Sequence, residues 1–157
     1  MNSDDHMRKV RFRDDDGNVE CLWAEHLGDD TYQLDNSPWF AYGVSWKDVV
    51  RAIPTIEGDN MPDFQEVVRK SGHRTIRLIL EDDSTRQERL EGLLRLGCTY
   101  EGSNGSYFGI DIPPAADFKT VCEYLTSTNE EWEHADPTYH DLYPETTEAQ
   151  QDVPPNA

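Results

Sequence analysis

The sequence predicts an α+β protein: a strand-rich bent sheet or partial barrel over residues 7–72, a ferredoxin-like βαββαβ half over 73–136, and a disordered acidic tail over 137–157. Three observations carry this expectation. Apolar residues alternate with a period of two up to about Arg74, and helical spacing enters only beyond it. Gly, Asn, Asp and Pro clusters cut the first half into short runs. From Thr128 onward there are eight acidic residues and no Lys or Arg, and the segment from Pro144 lacks apolar periodicity.

In chain order, Arg8–Arg13 places Val10 and Phe12 on one face of a strand, and Asp14-Asp-Asp-Gly-Asn18 supplies the turn. Asn18–Leu27 is a second strand, with Cys21 and Trp23 opposite Leu22 and Ala24. Gly28-Asp-Asp30 turns into a short strand, Thr31–Leu34. Asp48–Ile53 is β-branched and ends at Pro54, so it is expected extended. Asp63–Ser71 follows as a strand. Arg74–Leu80 alternates Ile76, Leu78 and Leu80. Ser84-Thr-Arg-Gln87 has capping-box form and opens a helix burying Leu90, Leu93 and Leu94, which Gly97 stops. Strands at Cys98–Glu101 and Ser106–Ile112 flank a Gly102–Gly105 turn. Pro113-Pro114 is expected to open a second helix carrying Phe118, Val121, Cys122 and Leu125. Glu131–His134 adds a last strand.

Composition narrows function. Fourteen Lys and Arg against 32 Asp and Glu give a net charge of −18, which repels phosphate backbones and anionic lipid, so general nucleic-acid or membrane binding is not expected. Three widely spaced cysteines do not make a disulfide framework, and the polar, acidic start is unlike a signal peptide; both point to the cytoplasm. No nucleophile elbow or phosphate-binding glycine loop occurs, and no catalytic residue is assigned. The five histidines lack metal-ligand spacing, so neither a metal nor a cofactor is expected.

Two segments stand out as binding candidates. Asp35-Asn36-Ser37-Pro38-Trp39-Phe40, with Tyr42 beside it, puts three rings in a loop. Such rings either plug a barrel end, with Asp35 and Asn36 pinning the turn, or form a recognition surface; the plug is the plainer reading. Ser71-Gly72-His73-Arg74 joins the halves, and is either a glycine-permitted turn or a ligand groove presenting His73 and Arg74.

Glu20-Cys-Leu-Trp-Ala-Glu25, Asp35-Asn-Ser-Pro-Trp-Phe-Ala-Tyr-Gly43, Asp48-Val-Val-Arg-Ala52, Ser71–Arg77 and Phe108–Pro114 resemble a bacterial family of small uncharacterised proteins, a domain of unknown function. The resemblance spans roughly residues 8 to 135. It implies a stand-alone cytosolic protein and supplies no activity, cofactor or catalytic residue.

The function expected is that of a non-catalytic acidic binding protein. It would be an inhibitor, immunity or regulatory factor acting on a basic protein partner, as monomer or homodimer. The alternative is a small-ligand sensor binding in the groove between the halves; an enzyme using Cys21, His26, Asp35 or His73 ranks below both.

Overall fold

Val10 and Phe12 point inward from β1 (Met7–Arg13), and Leu22 and Ala24 do so from β2 (Val19–Gly28). This is the period-two pattern of strands with one face against a core. Asp14 makes the turn between them by accepting from the Asp16 and Asn18 amides at 3.0 and 2.8 Å. The computed structural model describes residues 6–102 and 105–144, and the chain divides after His73 into two compact units.

In the first unit, β3 (Thr31–Leu34), β4 (Val49–Ile53) and β5 (Asp63–Arg69) continue the meander. The sheet closes: β5 pairs with β1 in parallel at Asp63 and Arg11, giving a closed five-stranded barrel in place of a bent sheet or partial barrel. Closure removes both sheet edges. An ion network fastens the seam. Arg11 donates to both Asp63 oxygens at 2.7 and 3.0 Å and to Asp59 at 2.8 Å, while Thr55 adds a hydroxyl bond to Asp63. The Arg11 hydrogen bonds hold the buried Asp63 carboxyl well below the usual carboxylate range. Val10, Phe12, Leu22, Ala24, Tyr32, Leu34, Val44, Val50 and Ala52 fill the barrel. Val68 of β5 is exposed.

The second unit runs β6 (Arg74–Ile79), α1 (Asp83–Arg95), β7 (Thr99–Gly102), β8 (Tyr107–Ile112), α2 (Phe118–Ser127), β9 (Glu131–Asp136) and α3 (Tyr139–Leu142). Its four strands lie in the order β7-β8-β6-β9, with every neighbouring pair antiparallel. Both long helices start later or earlier than the sequence suggests, because an aspartate wins the cap. Asp82 caps α1 by accepting from the Ser84 amide, which displaces Ser84 from that role. Asp117 caps α2, and Pro113 to Ala116 forms a turn instead of the first helical turn. Gly97, at φ 95°, ends α1 as expected. Leu90 and Leu93 are buried, but Leu94 is exposed. Val121 and Leu125 of α2 join Ile76, Leu78, Ile110 and Trp132 in one core, each buried side chain worth about 1.5–3 kcal/mol.

Ser103 and Asn104 of the expected turn lie outside the described residues. The segment expected to be tail from residue 137 begins with ordered chain: Thr138 and Asp141 form a reciprocal capping box on α3. Residues 145–157 of that tail lie outside the described residues.

Candidate functional site

Glu20 opens the site. It sits at the start of β2, and its carboxylate accepts from three successive backbone amides: Trp39, Phe40 at 3.0 Å and Ala41 at 2.9 Å. Consecutive N–H groups converging on one oxyanion make a nest, here filled by the chain's own side chain. The arrangement fixes the middle of the aromatic loop against the barrel. Asn36 fixes its start, accepting from the Trp23 amide at 2.8 Å, while the Asp35 amide donates to the Trp23 carbonyl.

With the backbone so tied, the rings divide. Val44 enters the barrel core and Ala41 packs against it, so these residues do the plugging. Trp39 is half-buried, whereas Phe40 and Tyr42 are 60% and 54% exposed. For Phe40 and Tyr42 the barrel-plug expectation is therefore corrected: both rings lie exposed, while Glu20 ties the backbone at residues 39–41.

Both rings border a pocket of about 240 Å³ within the first unit. Phe12 and Phe64, stacked with centroids 4.8 Å apart, form its apolar wall, and Val19 adds an exposed edge. Asp14, Asp15 and Glu20 contribute three carboxylates against one guanidinium, that of Arg13, which itself pairs with Asp63 at 3.3 Å. Hydrogen bonds from Asn18 hold the Asp14 carboxyl below its ordinary range. The lining thus combines aromatic faces with an excess of negative charge.

The other candidates fall elsewhere. Asp35 and His73 both meet Trp46: the indole N–H lies 3.4 Å from Asp35 Oδ1, and the Trp46 and His73 rings meet edge-on at 5.2 Å. Ser71 fixes this junction by donating to the Trp46 carbonyl at 2.7 Å. The buried Asp48 beneath it accepts from the Ser45 and Ser71 amides and from Lys70 Nζ. Arg74 belongs to the second unit, its guanidinium 4.5 Å from the Phe118 ring centroid. The structure therefore groups Phe40 and Tyr42, and separately Asp35 with His73. Glu20, Phe12, Phe64 and Trp46 carried no assigned role in the sequence. The tie from Glu20 spans 19 to 21 residues and leaves no local spacing signal.

Burial pushes the Cys98 and Cys122 thiols up to about 12 and about 11, so both stay protonated as small core groups. Among the described residues no group of three or more His, Cys, Asp and Glu is placed to hold a metal ion. Nor is any described helix long and apolar enough to cross a membrane.

A five-stranded barrel followed by a four-stranded, two-helix unit defines this chain as a two-unit α+β protein. Residues 20–135 match the family described as a domain of unknown function (DUF4265), and the chain belongs to that family. Among solved structures it is similar to one described as a hypothetical protein from Neisseria gonorrhoeae. The TM-score is 0.62 at 18% identity, covering 85% of this chain and 95% of that one, a likeness of fold. No curated protein matches the chain.

Proposed function

We propose that this chain is a non-catalytic binding protein, an inhibitor or regulatory factor, that engages a basic protein partner through the loop at residues 38–42. The observation that supports it most is the tether of the Trp39, Phe40 and Ala41 amides to Glu20. It holds the backbone while Phe40 and Tyr42 remain exposed, so the ordering cost of binding is met in advance. Exposed rings on a fixed loop are the usual anchors of interface energy, and a net charge of −18 favours encounter with a basic surface. The strand order of the second unit supports a ferredoxin-like reading, and three free cysteines suit a reducing cytoplasm.

The test is affinity chromatography of an extract of the producing cells on the immobilised wild-type chain and on a Phe40→Ser/Tyr42→Ser variant. A basic protein retained by the first and lost from the second is the expected result. Equal retention on both columns would refute the loop as the contact surface.

A further inference from the structure

We propose that the pocket beside Phe40 and Tyr42 receives one arginine side chain of the partner. This inference rests on the binding reading above and names what that surface recognises. Size decides first: about 240 Å³ lies below the roughly 300–1,000 Å³ of pockets that take drug-sized molecules, and so suits a single inserted side chain. Chemistry decides next. Four aromatic residues line it, the exposed Phe40 and Tyr42 beside Phe64 and the buried Phe12 stacked on it, and a cation is attracted to a ring face within about 6 Å of its centroid. Asp14, Asp15 and Glu20 outnumber Arg13, so the lining is net negative. A planar guanidinium stacks on aromatic rings while its edge donates to carboxylates, and a compact ammonium does the first poorly. Glu20 and Asp14 already accept from backbone amides, yet their charge remains, so an anion would be repelled there.

The experiment titrates the full-length, ¹⁵N-labelled chain with N-acetyl-arginine methylamide, with the lysine analogue and with the uncharged citrulline analogue. The arginine probe is expected to shift the amides of Val19, Glu20 and Phe40 to Tyr42 saturably. The citrulline probe should bind about tenfold more weakly, and the lysine probe between them. Phe40→Ala and Asp15→Asn, both at exposed positions, should each weaken the arginine probe about three- to tenfold. Citrulline binding as tightly as arginine, or arginine shifts that leave these amides unmoved, would overturn the proposal. If the probe misses the pocket while the column experiment still loses its basic protein on the double variant, the occupant is wrong and the surface stands. If the column shows no difference, the surface itself falls.

Discussion

Glu20 is the residue on which the loop depends. Removing its carboxylate takes the acceptor from three amides, and each charge-assisted bond of this kind contributes more than a neutral one. Glu20→Ala is expected to cost about 1.5–3 kcal/mol in urea denaturation, discounted because the amides regain water. Glu20→Gln should fall between it and the wild type. His134 sets a different behaviour. It lies 6% exposed among Phe118, Trp132, Tyr139 and Tyr143, Nδ1 lacks a hydrogen-bond partner, and burial lowers its pKa to about 4. Between about pH 6.5 and about 4 the unfolded chain therefore takes a proton that the folded chain refuses, and stability falls as pH drops through that window. The loss is about 3 kcal/mol, and His134→Phe should flatten the melting temperature across it. Asp63 acts lower. Its folded carboxyl is depressed, so its contribution is whole above the unfolded value of about 4 and is lost only as pH falls further. Asp63→Asn should destabilise the chain at neutral pH, and its melting temperature should converge on the wild type's in strong acid.

At the scale of elements, the packing of α1 on α2 turns on Gly92. A methyl there would run into the Tyr124 hydroxyl and ring, whose hydroxyl donates to the Arg89 carbonyl at 3.3 Å. Replacing a mid-helix glycine by alanine ordinarily gains about 1 kcal/mol, but Gly92→Ala is expected to lower the melting temperature. In a Tyr124→Ala background the same change should become neutral or favourable, a reversal readable in a double-mutant cycle. The strands themselves were legible from alternation, because Val10 and Phe12, or Ile76, Leu78 and Leu80, report which face is buried. Helix starts were less so. Ser84 and Pro113 carry real local preferences, yet Asp82 and Asp117 stand where a carboxylate reaches the first free amides, and either residue type fits the motif. The candidate loop was visible from its rings. Which rings stay exposed was not, since the tie that fixes the loop backbone comes from Glu20 in β2, 19 to 21 residues away. The closing β1–β5 pair, 52 residues apart between Arg11 and Asp63, is likewise a long-range choice.

For the whole molecule, the proposed binding function divides the work between charge and the aromatic loop. The −18 net charge acts at a distance and is screened beyond about 8–10 Å at ordinary ionic strength, so in that proposal it would govern encounter with a basic partner. Phe40 and Tyr42, both exposed, would act on contact and govern dissociation. The most direct measurement places a photo-crosslinking benzoyl-phenylalanine at position 42, with the exposed Leu94 of the second unit as the control position, and irradiates the producing cells and their extracts. The expected result is a basic protein crosslinked from position 42 and not from 94, with a yield that falls in extracts as salt rises from about 0.1 to 0.5 M. Crosslinks that are the same from both positions, or that capture an acidic protein indifferent to salt, would contradict the account.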